Sequence, residues 1–384
     1  MNVVFLSPHF PPGWHRFCVG LREMGANVLG LADAPWESLQ AELRAALGEY
    51  YRVSDMEDYG QLLRALGHFT HRHGKIDRLD SLNEYWLEKE AALRDDFNVP
   101  GLRAADMARV RRKSEMKRVF REAGLAVARG RVCRTLEEAR AFAAEVGFPV
   151  VAKPDAGVGA ARTWKIEDAA GLERWATEKP PADCILEEFV PGQIVTYDGL
   201  VDREGRVVFD SSMHYSLGVM EAVNERRDIW YWMPRSIPED LRAAGRALVR
   251  AFGVRERPFH FEFFRLADGT LVALEVNMRV PGGLTVDMFN YANDIDFHRE
   301  WARVVVHGRF EAEARRPWVC AYVGRREHRR YALAHHEVVR RFRGLVVHHE
   351  RIHDVFAPAI GNAGYILRAP ELAPIEAAVR AIQA

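Results

Sequence analysis

The chain opens on an unbroken apolar run, "NVVFLS" at residues 2–7, the right length for a buried strand and too short for a helix. A proline-rich loop and an amphipathic stretch near residues 14–24 follow, and "GANVLGLAD" (25–33) reads as a second strand. The spacing then predicts a helix over 37–47, a short strand in "YYRVSD" (50–55), a helix over 57–73, and a strand edge with a helix in 75–97. Strands and helices alternating in this order predict an α/β fold with a doubly wound parallel sheet. No GxGxxG follows the first strand, so a dinucleotide site there is disfavoured.

Further along, the pattern changes. "ARVRRKSEMKRVFREAGLAVARG" (108–130) reads as a basic helix ending at Gly124, its charges most simply a solvated face. Helices are expected over 135–146, 168–177 and 238–252, with strands in "FPVVAKPDAGVGAARTWKI" (148–166), on both sides of Pro191-Gly192 in 184–202, and in 205–215. Residues 216–236 look like a long loop, and helical segments run to about 308. A last α/β piece extends from 311 to 384, and there is no internal repeat or low-complexity segment.

One polar pattern stands out against an apolar background. "FHFEFFRLADGTLVALEVNMRVPGG" (259–283) sets two β-rich runs on either side of Asp268-Gly269, a strong hairpin signal. With those two residues at the tip, Glu262 faces Glu275 and His260 faces Asn277. Like charges opposite each other weaken a ladder, unless a cation lies between them. Glu275 and Asn277 are two apart, so both share the face of Glu262. These donors are hard oxygens suited to Mg²⁺ or Mn²⁺, and Mg²⁺ takes few protein ligands when phosphate oxygens complete its shell. A nucleotide phosphate is therefore expected nearby. The competing reading is a solvated hairpin, and the Phe, Leu, Val and Ala content of both strands argues against it.

Composition narrows the function classes. A chain of 384 residues exceeds one ordinary core, so two or three domains are expected. Its 54 basic and 54 acidic residues cancel, and no global field favours nucleic acid or an acidic membrane. Cys18, Cys133, Cys184 and Cys320 lie far apart without CxxC spacing, which argues against a zinc site or disulfide framework and fits a cytoplasmic location. No signal peptide is read at the N-terminus, and no stretch reaches the roughly 18 apolar residues of a membrane span.

Upstream of the hairpin, Lys153 ends the strand "FPVVAK" and leads into "PDAGVGAA". Gly157 and Gly159 there would let backbone N–H groups approach phosphate oxygens, although GxG pairs also mark ordinary turns. The spacing is not that of GxxxxGK[ST]. Taken in order, "RRKSEMKRVFREAGL", "FPVVAKPDAGVG", "LEEFVPG" and "HFEFF…DG…ALEVNMRVPGG" resemble the ATP-grasp superfamily over roughly residues 111–310. The type is that of the ATP-binding domains of carbamoyl-phosphate synthetase and D-alanine–D-alanine ligase. The resemblance implies a pre-ATP-grasp α/β domain at 1–110, a lid subdomain at 111–186, a metal and catalytic subdomain at 187–310, and a small C-terminal α/β subdomain at 311–384.

It also implies roles. Lys113 and Lys153 resemble the two ATP-binding lysines, and Gly157 and Gly159 the loop over the triphosphate. Glu187 looks like the acceptor for the adenine amino group, with the hinge backbone of Glu188, Phe189 and Val190 beside it. Glu262, Glu275 and Asn277 are similar to the metal triad, and Arg279 to the arginine that stabilises the moving γ-phosphoryl group. Two positions depart from the pattern. Ile194 stands where many members place a ribose-binding Glu, so Gln193 or a residue from elsewhere must serve. His260 stands where some peptide-forming members have Arg, and it is a candidate acid/base or hydrogen-bond donor, or else a packed strand histidine.

The implied activity is that of an ADP-forming ligase that activates a small-molecule carboxylate as an acyl phosphate and joins it to an amine, using ATP and Mg²⁺ or Mn²⁺. The alternatives are a carbamoyl-phosphate or carboxylase-like catalyst, an acid–thiol ligase, or an ATP-binding scaffold without turnover. Relatives of this kind are often dimers, so a homodimer is an expectation by analogy alone. For the substrate pocket, the candidates are Arg226, Arg227, Tyr231 and Trp232 in the 216–236 segment, and "NEYWLE" (83–88). The His-rich tail (His335, His336, His348, His349, His353) and "RREHRR" (325–330) read most simply as exposed surface.

Overall fold

The computed structural model describes residues 1–157 and 163–384. Four parallel strands, β1 (Asn2–Leu6), β2 (Asn27–Ala32), β3 (Glu49–Arg52) and β4 (Arg78–Asp80), form the N-terminal sheet in the order β3-β2-β1-β4. The apolar run of β1 is buried on both faces. Val3 and Phe5 pack with Phe17 and Leu21 of the helix His15–Glu23, while Val4 and Leu6 pack with Leu62, Leu66 and Phe69 of the helix Tyr59–His73. Helices on opposite faces are what a continuous apolar strand requires.

A second four-stranded sheet is antiparallel: β6 (Gly130–Cys133), β7 (Val150–Pro154), β8 (Trp164–Ile166) and β9 (Cys184–Glu188), in the order β6-β9-β7-β8. The helices Leu136–Val146 and Ala169–Glu178 bury Phe142, Leu172 and Trp175 against it. Just before it, β5 (Ala126–Val127) leaves this layer and pairs with the central sheet.

That central sheet contains β10 (Gln193–Val201), β11 (Val207–Ser211), β12 (His214–Tyr215), β13 (Trp230–Met233), β14 (Arg257–Arg265), β15 (Leu271–Asn277), β16 (Val319–Arg325), β17 (Val346–Arg351) and β18 (Ala363–Ala369). Its path is β17-β18-β16-β13-β12-β10-β14-β15-β5, with β11 on β10. Phe259, Phe261 and Phe263 alternate along β14 and are fully buried. At about 1.5–3 kcal/mol each, these rings anchor the strand. Gly245, in the helix Glu239–Ala251, lies so close under the Tyr197 ring that a Cβ there would overlap it. The C-terminal strands continue this same sheet through the β13–β16 pairing.

Four local expectations need correction. Residues 216–236 are not one long loop: a helix at Val219–Asn224 and β13 lie within the segment. The basic helix is two helices, Met107–Arg111 and Lys113–Glu122, broken at Arg112, whose backbone is extended (φ −95°, ψ 121°). "RREHRR" is not wholly exposed, because Arg325 and Arg326 are buried. Third-party carbonyls replace carboxylates as their partners: Arg325 donates to the carbonyls of Ile382 (2.6 Å) and Leu333 (2.8 Å).

The fourth correction concerns the hairpin. Its turn is longer than Asp268-Gly269, with Gly269 N–H donating to the Leu266 carbonyl (3.0 Å) and Leu266 N–H to Thr270 (2.9 Å). Near the tip Arg265 therefore pairs with Leu271 and Phe263 with Ala273. A bulge at Leu274 then restores the other register, so that Glu262 faces Glu275 and His260 faces Asn277. The expected facing pair is present, reached by a different turn.

Candidate functional site

A cavity of about 500 Å³ lies between the antiparallel four-stranded sheet and the β14–β15 hairpin. The break at Arg112 explains how one lysine enters it. Asp155, at the end of β7, caps the following helix by accepting from Ser114 N–H (2.8 Å) and Ser114 Oγ (2.9 Å), while its carbonyl takes Lys113 N–H (2.8 Å). The cap fixes Lys113 beside the strand that carries Lys153, and both side chains reach the cavity.

The lysines sit on carboxylates. Lys113 Nζ lies 3.3 Å from Glu275 Oε1 and also donates to the Gly157 carbonyl (3.3 Å). Lys153 Nζ lies 2.7 Å from Glu187 Oε2, and Lys117 Nζ 2.7 Å from Glu187 Oε1. Burial alone would raise the Glu187 pKa, but the two ammonium groups outweigh it and hold the carboxyl down to about 2. Lys117 was not expected from the sequence. It lies one helical turn after Lys113, on the buried face of a strongly amphipathic helix, and that spacing is the signal that could have found it.

His260 has a partner on each ring nitrogen. Nδ1 lies 2.5 Å from Asp198 Oδ1 and Nε2 lies 3.1 Å from Glu262 Oε1. Burial by itself would lower its pKa, but Asp198 and Glu262 push it up to about 9, so the ring is an imidazolium at neutral pH. His260, Arg279 and Lys153 in turn hold the Glu262 carboxyl below its usual range despite burial. Asp198 is itself fixed by Thr196 Oγ1 (2.5 Å), which accepts from Met213 N–H (3.0 Å). Asp198 and Thr196 were missed as well. They lie on β10 opposite His260 and Glu262, and an acid in the apolar run "IVTYDGLV" was the available sign.

Several expected residues therefore share one cavity: Lys113, Lys153, Glu187, Glu188, Phe189 and Val190 at one end, and His260, Glu262, Glu275, Asn277 and Arg279 in the middle. Arg279 Nη2 lies 3.5 Å from Asn277 Oδ1. Gln193 is exposed and bonds the Tyr215 carbonyl (3.1 Å) without lining the cavity; Ile194 does line it. Gly159 lies outside the described residues. Of the substrate candidates only Tyr231 lines the cavity, since Arg226 and Arg227 are exposed and Trp232 stacks on His214 and Trp230 (5.2 and 4.7 Å). In "NEYWLE", Glu84 is buried and paired with Arg111 (3.1 Å).

The oxygen donors fit a hard divalent cation. No group of three or more His, Cys, Asp or Glu side chains that could hold a metal occurs among the described residues. Two carboxylates and one amide make a ligand-poor set, the kind Mg²⁺ uses when phosphate supplies the remainder. In the His tail, His335 bonds Tyr365 (2.8 Å) and His348 bonds Glu350 (2.9 Å).

Residues 146–287 match the family model of the ATP-grasp domain. The chain contains an ATP-grasp domain. Around this domain, the chain is 22% identical over 242 residues to an L-arginine-specific L-amino acid ligase of Bacillus subtilis, covering 61% of this chain and 58% of the relative. It is 29% identical over 278 residues to the carbamoyl phosphate synthase large chain of Paenarthrobacter aurescens (strain TC1), covering 68% of this chain and 24% of that protein. The chain thus spans little more than half the length of the first of these relatives and a quarter of the second. Among solved structures, the L-amino acid ligase of Bacillus licheniformis superposes with a TM-score of 0.77 at 18% identity, covering 99% of this chain and 96% of that one. An N5-carboxyaminoimidazole ribonucleotide synthetase in its ADP complex gives 0.74 at 15% identity, covering 99% and 93%. These likenesses show that the chain shares the fold of those two structures over nearly its whole length. No helix among the described residues is long and apolar enough to cross a membrane.

Proposed function

We propose that the chain is an ADP-forming ligase that activates a small-molecule carboxylate as an acyl phosphate and joins it to an amine. The observation that carries this reading is the convergence of Glu262, Glu275, Asn277 and Arg279 with Lys113 and Lys153 on one cavity. An ATP-binding scaffold needs the lysines and the hinge; it does not need an arginine and a paired-carboxylate face beyond them.

In this reading ATP lies with its base at Glu187–Val190 and its phosphates toward β14 and β15. Glu262, Glu275 and Asn277 would hold Mg²⁺. When bound, the ion would neutralise phosphate charge and polarise the transferring group. Lys113 and Lys153 give up part of their hold on Glu275 and Glu187 to meet phosphate oxygens, which is a short movement for a flexible ammonium side chain. Imidazolium His260 keeps Glu262 ionised and oriented. Arg279 offsets the repulsion between an incoming carboxylate and the γ-phosphate and sets them in line. The carboxylate oxygen takes the γ-phosphoryl group of ATP and ADP leaves; the amine then attacks the acyl carbon, expels phosphate and loses a proton. No protein nucleophile is used, and the four cysteines are all buried.

The test is ADP release from MgATP in a matrix of carboxylates and amines, amino acids first. ADP that appears only with a carboxylate and an amine together, at one equivalent per bond formed, is the expected result. Release with bicarbonate in place of the carboxylate would move the reading to the carboxylase-like alternative, and nucleotide binding without release to the scaffold.

A further inference from the structure

Beyond Arg279 the cavity changes character. Gly282 and Gly283 form its floor, Tyr215 and Tyr231 one wall, and Phe356 and Ile360 the opposite wall. The fit at Gly283 is close: a Cβ there would stand 2.9 Å from Ile360 Cδ1 and 3.6 Å from the Tyr231 hydroxyl, on a backbone at φ +63°. The Tyr215 and Tyr231 rings stack with centroids 4.9 Å apart, and Tyr231 stacks on Tyr322 at 5.0 Å.

The walls are fastened together. Buried Arg326 donates to the Ala222 carbonyl (2.9 Å) in the helix Val219–Asn224 and to the Pro358 carbonyl (3.1 Å) in the helix Ala357–Ile360. One guanidinium thus ties two short helices that flank this end, and the C-terminal segment becomes part of the site. Among the described residues lining this end, beyond Arg279, there is no Lys or Arg, and the one formal charge is Glu221. Glu221 folds back over Gly218 at the start of its own helix. Arg279 is already taken by the reacting carboxylate in the ligase reading.

We propose that this end is the subsite for the substrate's side group, and that the group it takes is uncharged and apolar, about the size of a leucine or phenylalanine side chain. The inference rests on the ligase reading for its chemistry. Stacked aromatic and aliphatic walls favour apolar burial, whereas a phosphate or a second charge placed here would be buried without a partner. A phosphorylated ribosyl substrate would place its phosphate at this end without a cation among the described residues.

The test has two parts, both on the full chain. Calorimetry with leucine, phenylalanine, arginine and aspartate in the presence of ADP and Mg²⁺ reads the subsite directly. ADP release with the same amino acids reads its use. Leucine or phenylalanine should bind and support release at least roughly 10-fold better than arginine or aspartate, the scale on which a fitted apolar pocket discriminates. Ile360→Ala and Phe356→Ala should shift the ratio of kcat/KM for phenylalanine over alanine by a similar factor, in opposite sense to Ile360→Trp, which fills the space. The two enlarging variants guard against misfolding of the filled one, with ATP affinity measured alone as the folding control. Equal or better binding of arginine, aspartate or ribose 5-phosphate, or a ratio indifferent to all three variants, overturns the subsite. Apolar binding without ADP release supports the subsite and overturns the ligase reading instead.

Discussion

Two of the groups of buried charges in this chain are built from different cations. At the seam between the N-terminal sheet and the start of β14, Arg257 donates to Asp80 (3.0 Å), Glu90 (3.2 Å) and the Met278 carbonyl (2.5 Å). Arg94 donates to Glu90 (2.8 Å) and the Leu79 carbonyl (2.7 Å). In the cleft the corresponding work falls to Lys113, Lys117 and Lys153, each meeting its carboxylate through one nitrogen. A planar guanidinium fixes several partners at once and locks its surroundings; an ammonium on a flexible stem can change partner. The cavity beside the arginines is about 230 Å³, against about 500 Å³ in the cleft. Burial and ion pairing occur in both places, so neither marks a functional site by itself. In the ligase reading the distinguishing feature is a cation able to change partner beside the larger cavity.

Breaking the seam should give the largest effect. Arg257→Ala leaves Glu90 and Asp80 short of a cation at 0% and 14% exposure, and removing one partner of such a network costs about 3–5 kcal/mol. Urea unfolding should show the loss. A stability change below 1 kcal/mol would mean that the seam charges are solvated and that the contrast with the cleft is false. The cleft should respond the other way. Glu275→Gln is expected to reduce ADP release at least roughly 100-fold, the scale of one charge-stabilising group, while the unfolding midpoint stays near that of the parent. Turnover at the parental rate would remove Glu275 from the metal set.

These two substitutions also show what the sequence could and could not reveal. Glu275 was legible because a carboxylate interrupts an apolar strand and a turn signal places it opposite Glu262. The bulge at Leu274 was not, since an apolar residue in an apolar run carries no mark of a register change. The doubly covered N-terminal sheet was legible from the unbroken run at β1, where both alternating sets are apolar. Residues 216–236 were misread because a six-residue helix and a four-residue strand are each too short to show a period. Arg257, Arg325 and Arg326 read as ordinary surface charge. Their burial depends on distant carbonyls and carboxylates that only the assembled sheet brings near. Lysine positions followed strand ends and helix turns, so most of the cleft was visible and most of the seam was not.

A smaller and more specific effect comes from pH. Glu187 is held at about 2 in the folded chain against 4.5 in its ordinary state, because Lys153 and Lys117 outweigh the effect of burial. A depressed carboxyl pKa contributes stability that is fully present above pH 4.5 and fades as the pH falls toward about 2. Urea midpoints should therefore drop between pH 5 and pH 3 more steeply in the parent than in Glu187→Gln, which has no proton to gain. Superimposable slopes would show that the lysines do not hold that carboxylate. The seam offers the control, since Arg257→Ala should lower both midpoints and leave this difference in slope.

The smallest expected effect tests whether the cleft, for all its exchangeable lysines, has a fixed part. Thr196 donates to Asp198, and Asp198 holds the Nδ1 side of His260, so the orientation of Glu262 is set from β10 through neutral and charged bonds in series. Thr196→Val keeps the shape of the side chain and removes the hydroxyl, leaving Met213 N–H without its acceptor. One such bond is worth about 1 kcal/mol, a loss well below that of the seam arginine and readable in the same urea titration. If this end of the cleft is rigid, the loss should be the same with and without saturating ADP and Mg²⁺. If nucleotide restores the lost stability, Asp198 and His260 move with the lysines, and the division between a locked seam and an adaptable cleft falls at β10 instead of at the cavity wall.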